Sequence, residues 1–574
     1  MGNKFVIAIF LCIFAVSAAA QDLEPTVEVR REYEGELVEV HKPVFEMAVP
    51  DSVTRFALDF DYSVFENPYR GSYEFAPYLL SMKPSALDNG ESSFYLRAGA
   101  GYQLHPTLDL VWSPKFKRKG LNMDVYALHR SFVGNYHTIE PESLENGDVV
   151  LTALPKNENG SHKWFGYDML TMAGAELRHD WEKIALDYSA GYYGLLQEDR
   201  AWNRGYNALD ASLGIQTKPA GRHSLAFDMD LDYRLGEDVV AGSSLIENLG
   251  SLDMGVGPFS VGKMKMAVDA EANVASYAGA FGLLAGDVSL NPHFVFGKDR
   301  FTADLGVRIS KLLGEKDVKE QYVYPDVKIS CVLFPTTMKF YLRAAGGGEF
   351  EDYSSTIASN HHVNHLMPSG ALGYRVERFG LTAGFDGRIS GVFSYNLRGG
   401  YANYSSLRHY TLNVVSNPSF SMIYIPCQKW FAAIDWALDV EGFRFDGTVA
   451  YEKYSDQSSH YDESADVMGQ TVLRPASLTG KAAIEYNWKK RVVCGVNCEF
   501  SGPLQSCYEQ LDLGAVREVA VPGYADLGVY AEYATVRNLS VWMRAGNLLN
   551  MTIQRTPLYA EKGVHFTLGI CMNL

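Results

Sequence analysis

A cluster of imidazoles is the first feature of this sequence that could carry chemistry. The stretch from Asn360 to His365 holds His361, His362 and His365, three histidines within six residues. Imidazoles grouped in this way can bind zinc or copper. No cysteine or acidic ligand follows them at a spacing typical of a metal site. The sequence therefore favours a solvated polar loop, and we predict no metal.

An acidic stripe is the second such feature. Asp228, Asp230 and Asp232 alternate with apolar residues, so in a strand their carboxylates share one face at a spacing of ~6.6 Å. Carboxylates in a row attract cations through their summed field. Basic side chains expected on the same face, where they would neutralise the stripe, are Lys263, Lys265, Arg308 and Arg343. The stripe predicts either a cation-attracting wall or a solvated interior without selectivity.

Recognisable catalytic motifs are absent from the sequence. It contains no Gly-x-Ser-x-Gly, HExxH, Gly-rich phosphate loop or paired-cysteine metal motif. His105, His129 and His565 stand on polar faces or at segment ends, but no catalytic spacing joins them to the many serines and aspartates. We therefore predict that the chain is not an enzyme and needs no cofactor.

The elements that must position these residues are long strands. From about residue 53 to 574, apolar and polar residues alternate, as from Leu225 to Arg234, which is typical of a strand with two different faces. Soluble sandwiches use strands of about 5 to 6 residues, whereas membrane barrels need about 9 to 11 or more. Full charges on one face suit a water-filled lumen. We predict an all-β, antiparallel transmembrane barrel of the outer-membrane type, with about 20 to 22 strands in a range of about 14 to 24.

Connections between the predicted strands fall into two classes. Short turns occur at Lys218–Gly221 and Gly297–Asp299. Longer polar stretches occur at 134–162, 349–368, 454–471 and 502–523. Short turns on one rim and long loops on the other are typical of an outer-membrane barrel, with the long loops outside the cell.

Composition agrees with a folded membrane barrel. The 574-residue chain is 47% hydrophobic and 13% aromatic, which excludes a disordered chain. Its net charge of −17 excludes a nucleic-acid partner. Aromatic residues near segment ends fit either interfacial girdles or ordinary strand positions, and the tryptophans concerned are Trp112, Trp181, Trp430, Trp488 and Trp542.

The N-terminus differs from the rest of the chain. Lys4, the apolar run from Phe5 to Val16 and the small residues Ala18–Ala20 have the order of a secretory signal peptide. We predict a signal peptide at 1–20, a periplasmic extension at 21–52 and the barrel at 53–574.

Six cysteines follow the signal peptide, namely Cys331, Cys427, Cys494, Cys498, Cys507 and Cys571. Cys494 and Cys498 are predicted on one strand, where a four-residue separation places them ~13 Å apart, too far to bridge or share a metal. We interpret the cysteines as small apolar residues.

The last segments resemble the final three strands of TonB-dependent receptor barrels. The matching stretches are Pro522–Leu527, Asn547–Asn550 and Gly563–Ile570, and Phe379–Tyr404 is similar to a barrel hairpin of the same receptors. In that family the Asn-Leu-Leu-Asn element is the turn after the penultimate strand, and the closing strand is the assembly signal. The resemblance implies that the barrel-assembly machinery recognises Val564, Phe566, Leu568, Ile570 and Leu574.

Departures from that family are as informative as the matches. TonB-dependent receptors carry a plug domain of well over 100 residues, whereas here the first predicted strand begins about 30 residues after the cleavage site, which leaves no room for one. The stretch Thr26–Val29 only weakly resembles a TonB box. The chain ends in Leu574, whereas most outer-membrane barrels end in phenylalanine. We therefore predict a plug-less barrel.

These observations lead to two functional hypotheses for a protein of a Gram-negative outer membrane. The first is a channel or transport component for solutes, and the alternative is a structural or accessory subunit of an outer-membrane complex without transport of its own. Outer-membrane lipid, the barrel-assembly machinery and a periplasmic or surface lipoprotein are the expected partners. Because a plug-less barrel of this size would leave a wide opening, we expect inward-folded loops, a partner in the lumen, or fewer strands.

Overall fold

The computed structural model describes residues 93–574 with short gaps. The gaps are residues 103, 117–119, 146–147, 157–161, 201, 219–225, 262–263, 299, 315–320, 367–371, 414–418, 457–474, 511–514 and 537. The predicted signal peptide, the extension at 21–52 and the first predicted strand lie outside the described residues. The domain boundaries and the absence of a plug therefore stay predictions.

The described chain consists almost entirely of strands. The first half contains β1 (Phe94–Tyr102), β2 (Thr107–Trp112), β3 (Leu121–His137), β4 (Ile139–Ser143), β5 (Val149–Ala153), β6 (Lys163–Asp180), β7 (Ile184–Glu198), β8 (Asn203–Thr217), β9 (Phe227–Val240), β10 (Ser243–Val261), β11 (Met264–Gly279), β12 (Leu283–Lys298) and β13 (Phe301–Leu313). The second half contains β14 (Gln321–Phe334), β15 (Met338–Phe350), α1 (Tyr353–Ser359), β16 (Tyr374–Ile389), β17 (Phe393–Asn413), β18 (Ser419–Val440), β19 (Phe443–Asp456), β20 (Leu478–Trp488), β21 (Val492–Ser501), β22 (Leu504–Gln510), β23 (Ala515–Val521), β24 (Tyr524–Val536), β25 (Leu539–Gly546) and β26 (His565–Asn573).

Twenty-two of these strands form one closed antiparallel sheet. The sheet closes because β1 pairs with both β2 and β26. The prediction of an outer-membrane-type barrel with about 20 to 22 strands is confirmed. Among the described residues, no helix is long and apolar enough to cross a membrane.

The four remaining strands form a separate small sheet in the order β22-β23-β5-β4. Its central pair is parallel, with Val519 opposite Val149. We call this element the mouth sheet, because its strands lie in the loops β3–β6 and β21–β24 at one end of the barrel.

Alternation along each barrel strand separates an apolar outer face from a polar inner face. On β9, Leu231, Tyr233 and Leu235 are exposed on the outside of the barrel, whereas Asp230 and Asp232 take the other face. An outward apolar surface is what a barrel presents to lipid. Since every strand has two neighbours, the backbone donors and acceptors are paired within the sheet, as a membrane interior requires.

The two ends of the barrel differ in the length of their connections. One end carries short turns, such as 390–392 and 441–442, and here Leu574 accepts a hydrogen bond from the backbone N–H of Phe94 at 2.8 Å. The other end carries the long connections 138–162, 351–373, 457–477, 502–523 and 547–564. All four predicted long loops lie at this second end, which is the outer end in barrels of this type.

The hairpin between β9 and β10 shows how local sequence sets a turn at the long-loop end. Ala241 and Gly242 are its central residues, and both have positive φ angles, 48° and 83°. A two-residue turn of this kind matches the right-handed twist of the strands. Glycine adopts a positive φ without steric cost, so Gly242 favours a turn at this point of the sequence.

The tryptophans divide between the two faces of the barrel wall. Trp112, Trp181 and Trp488 are exposed at the short-turn end, and Trp430 is exposed on the outer face. Trp542 is instead 4% exposed, and its Nε1 donates to the carbonyl of Ile570 at 3.1 Å. The girdle interpretation is wrong for Trp542, because period-2 alternation places it on the inner face of β25.

Cys494 and Cys498 both lie on β21, as predicted. Among the described cysteines, no disulfide bond joins Cys331, Cys427, Cys494, Cys498 or Cys571 to another.

Adjacent residues of β9 test the assignment of the two faces. We expect Leu231→Lys to destabilise the membrane-inserted barrel by about 2–4 kcal/mol, because a lysine would face the hydrocarbon. Asp232→Lys is the matched control and should fold normally, because it faces water and other charges. Urea unfolding in lipid vesicles, followed by heat-modifiable gel mobility, measures both. Equal destabilisation by the two lysines would contradict the assignment.

Candidate functional site

The long connection between β15 and β16 folds into the barrel. We call its residues 351–366 the inner loop. Arg204 on β8 donates to the carbonyl of Val363 at 2.6 Å, and Arg408 on β17 donates to the hydroxyl of Thr356 at 2.7 Å. These two strands lie in different parts of the closed sheet. A loop that touches both from its inner face must therefore occupy the lumen.

A buried ion pair anchors the inner loop to the wall. The guanidinium of Arg204 donates to both carboxylate oxygens of Asp238, at 2.8 and 2.9 Å, and the two side chains are 0% and 1% exposed. Asp238 also accepts from the hydroxyl of Tyr353 at 2.6 Å and lies 3.0 Å from Nδ1 of His365. Because a buried charge needs several compensating partners, this network holds the loop in one position.

Two carboxylates stabilise the start of α1. Asp352 is the N-cap, and its side chain accepts from the backbone N–H of Ser355 at 2.7 Å. Glu247 on β10 accepts from the backbone N–H groups of Tyr353 and Ser354, at 3.1 and 3.3 Å. Exposed donors at a helix start favour such acceptors. The barrel wall thus caps the helix that the loop carries inward.

The three histidines are buried, so the prediction of a solvated loop is wrong. His361, His362 and His365 are each no more than 7% exposed, because the inner loop folds back among the strands. Burial, with Arg204 nearby, holds the pKa of His361 and His362 well below the usual range. Both imidazoles are therefore neutral at pH 7. In the part of the chain that the structure describes, no group of three or more His, Cys, Asp or Glu side chains is placed to hold a metal ion.

The long loops pack against one another and against nearby strand ends in a hydrophobic core, which we call the mouth cap. Its buried residues are Ile139, Val149, Leu151, Val363, Tyr410, Phe420, Met422, Ala476, Leu504, Val519, Val521, Tyr559 and Ala560. The side-chain amide of Gln554 adds a hydrogen bond to the carbonyl of Leu151 at 2.9 Å. The mouth cap joins the mouth sheet, the inner loop and the connection before β26 at the long-loop end.

The acidic stripe lies on the inner face of the barrel. Asp228, Asp230 and Asp232 share the face of β9 that carries Asp238, the anchor of the inner loop. Asp230 stands opposite Asp253 on β10, and Asp253 stands opposite Glu271 on β11. Residues opposite each other in an antiparallel pair share a face. The carboxylates of this face on β7–β13, apart from Asp238, Glu247 and Asp287, which bind the inner loop or the end of β15, form what we call the acidic wall. They are Asp187, Asp210, Asp228, Asp230, Asp232, Asp253, Asp269, Glu271 and Asp304.

The predicted basic residues that the structure describes lie on the inner face of the barrel, Lys265 and Arg308 on the acidic wall and Arg343 on β15. Arg308 forms an ion pair with Glu271, and Arg343 lies 3.9 Å from a carboxylate oxygen of Asp326 on the neighbouring strand. Lys265 shares the face of Asp269 on β11, and Lys263 lies outside the described residues. Among the described residues of β7–β13, carboxylates outnumber bases on the inner face. A cation-attracting role for this face stays a prediction.

The predicted assembly residues belong to the closing strand. Phe566, Leu568 and Ile570 are exposed on the outer face of β26, and Val564 precedes the strand. The carbonyl of Leu574 accepts from the backbone of Ser93 and Phe94, so the terminus completes the closure. Recognition of this strand by the barrel-assembly machinery stays a prediction.

Sequence reasoning missed the anchor of the inner loop and the mouth cap. Arg204 and Asp238 lie near the ends of β8 and β9, where charge is common, and Asp238 directly follows Glu237. A weak signal for the mouth cap was present, because the apolar runs Val149–Leu151 and Val519–Val521 stand inside predicted polar loops. Such runs in a long loop indicate a strand that packs.

Comparison with known proteins places this fold among outer-membrane transporters and receptors. No protein-family model matches the sequence, and no curated protein matches it. Among solved structures, the copper transporter OprC is 10% identical with a TM-score of 0.59, over 84% of this chain and 83% of that chain. The FrpB iron transporter from Neisseria meningitidis (F3-3 variant) is 10% identical with a TM-score of 0.59, over 84% and 81%.

The ferripyoverdine receptor of the outer membrane of Pseudomonas aeruginosa is a further match. It is 10% identical with a TM-score of 0.60, over 84% of this chain and 72% of that chain. At this identity the likeness shows the fold. The resemblance to TonB-dependent receptor barrels is confirmed at that level, and the chain is a β-barrel of the outer-membrane type.

Removing one partner of the buried anchor tests its role. We expect Arg204→Met to release the inner loop without unfolding the barrel, because Asp238 would be left buried and uncompensated at a cost of about 3–5 kcal/mol. Hydrogen exchange of residues 353–366 should rise, and heat-modifiable mobility should be retained. Arg178→Met, which removes the exposed pair with Asp187, is the matched control. Unchanged exchange in Arg204→Met would show that the loop is held by other contacts.

Proposed function

We propose that this barrel is a channel or transport component that passes solutes across the outer membrane, with the inner loop as its constriction. The observation that carries the proposal is the inner loop itself, anchored in the lumen by the buried pair Arg204–Asp238 at 0% and 1% exposure. A closed barrel of this size surrounds an interior wide enough for water and solutes. A loop anchored inside such a barrel narrows it.

The similar structures support transport in general. These proteins are a copper transporter, an iron transporter and a ferripyoverdine receptor. At 10% identity, the ligands of these proteins cannot be assigned to this chain. The acidic wall is the feature of this chain that bears on cargo, because carboxylates along a lumen raise the local concentration of cations.

A structural or accessory subunit is the second candidate function. The mouth cap favours it, because a barrel whose outer loops pack in a common core fits a role that does not use the lumen. A periplasmic or surface lipoprotein would then be the partner, and the predicted extension at 21–52 is the segment we propose for docking on the periplasmic side.

Conductance in planar bilayers distinguishes the two functions. We expect discrete conductance steps from the purified full chain. Steps at least twofold larger are expected when residues 353–366 are replaced by a short Gly-Ser linker, because the constriction is removed. Heat-modifiable mobility checks that both proteins are folded. If neither the full chain nor the linker variant gives conductance steps, and a second protein co-purifies in mild detergent, the channel function is refuted and the subunit function is supported.

Reversal potentials in a salt gradient test the acidic wall. We expect the triple variant Asp228→Asn, Asp230→Asn and Asp232→Asn to lower the cation-to-anion permeability ratio by roughly twofold or more. Arg308→Gln is the control of opposite sign, since it frees Glu271 and should raise the ratio. If both variants keep the wild-type ratio, the wall only solvates the interior.

A further inference from the structure

A cleft at the long-loop end borders the inner loop. It has a cavity volume of about 40 Å³ and lies between β3, β6, β7, the inner loop and the connection 547–564. The lining side chains that matter here are Tyr136, Trp164, Asp168, Gln197, Tyr559 and Glu561. None of them belongs to the acidic wall or to the Arg204–Asp238 anchor.

One acceptor in this cleft lacks a donor. Gln197 is 5% exposed, and its amide nitrogen lies 3.2 Å from Nδ1 of His362. Its Oε1 has no hydrogen-bond partner among the described residues. A buried acceptor without a donor is destabilising. A ligand that supplies an N–H or O–H group in the cleft would satisfy this acceptor.

Carboxylates give the cleft an acidic character. Oδ2 of Asp168 lies 3.9 Å from Nε2 of His361, an imidazole that is neutral at pH 7. Burial raises the pKa of Glu561, whose Oε1 lies 3.8 Å from Nε of Arg555, and a further cation would favour its charged form. The lysine of the lining, Lys562, has its Nζ 3.0 Å from Nε2 of His105. Lys562 also interacts electrostatically with Asp168 and Glu561, but the three carboxylates of the described lining, Asp168, Glu198 and Glu561, outnumber this lysine.

Aromatic faces line the same space. The rings of Tyr136 and Trp164 stack with centroids 4.7 Å apart and an interplanar angle of 19°. Tyr559 stacks on His362 at 3.5 Å and 17°. Aromatic faces attract cations, and a planar guanidinium also stacks on them.

The cleft and the acidic wall share a strand. Gln197 lies near the long-loop end of β7, and Asp187 lies near its other end. A cation that leaves the cleft toward the short-turn end therefore meets carboxylates along the inner face.

We propose that this cleft binds the head group of a small organic cation that donates N–H hydrogen bonds, of the alkylguanidinium or alkylammonium class. The inference rests on the proposed transport function and names the class of its substrate. N–H donors would pair with Oε1 of Gln197 and the carboxylate of Asp168, and the cationic plane would lie against Trp164. Charge-assisted hydrogen bonds of this kind are the strong ones.

Equilibrium binding to the detergent-purified full chain tests the proposal. Titration calorimetry compares butylguanidinium with butylurea, which has nearly the same shape without the charge. We expect butylguanidinium to bind at least tenfold more tightly. Asp168→Asn and Trp164→Leu should each weaken its binding at least tenfold. Asp386→Asn, which removes an inner-face carboxylate away from the cleft, is the control and should leave binding unchanged.

Several outcomes would overturn the inference. They are equal affinity for butylurea, full affinity in Asp168→Asn, and binding of maltose in place of butylguanidinium, which would identify a neutral saccharide site. If Asp168→Asn does not fold, Glu561→Gln gives the same test from a loop position. Binding in detergent does not depend on conduction. If planar bilayers show no conductance steps but butylguanidinium still binds, the channel proposal is refuted and the binding proposal for the cleft stands.

Discussion

Closure of the sheet is the constraint on which the rest of this structure depends. In a hydrocarbon layer each backbone N–H and C=O must find a partner within the protein, because water is not there to provide one. The pairing of β1 with β26 satisfies this condition for the last two edges. Once the sheet is closed, alternation divides every strand into a side for lipid and a side for the interior.

Because of that division, charged side chains face the interior of the barrel. The inner loop binds to one of these charges, Asp238. Asp238 belongs to the same inner face as Asp230 and Asp232, but it lies nearer the long-loop end and is covered by the loop. There it accepts hydrogen bonds from Arg204 and Tyr353. Displacing the loop would remove Tyr353 while the ion pair stayed in place, so the network opposes movement. The same type of residue is therefore solvated along the wall and structural at the mouth.

Prediction from sequence succeeded where the physical signal is local. Period-2 alternation identified the strands, and the Asn547–Asn550 element correctly marked the turn after β25. The girdle alternative failed for Trp542, because its place in the alternation puts it on the inner face of β25. Prediction also failed for His361 and His362, because a polar run in a long loop has the same local appearance whether the loop faces water or folds inward.

The amino-acid sequence by itself determined the barrel, because alternation and strand length are properties of neighbouring residues. Only the tertiary structure decided what lies inside its mouth. The contacts of the inner loop with β8 and β9 join residues more than 100 positions apart, such as Arg204 with Tyr353 and Asp238 with His365. No period or motif encodes such a pair, because each partner alone is an ordinary polar residue. Closure of the barrel brings them within hydrogen-bonding distance, and burial then makes their interaction specific.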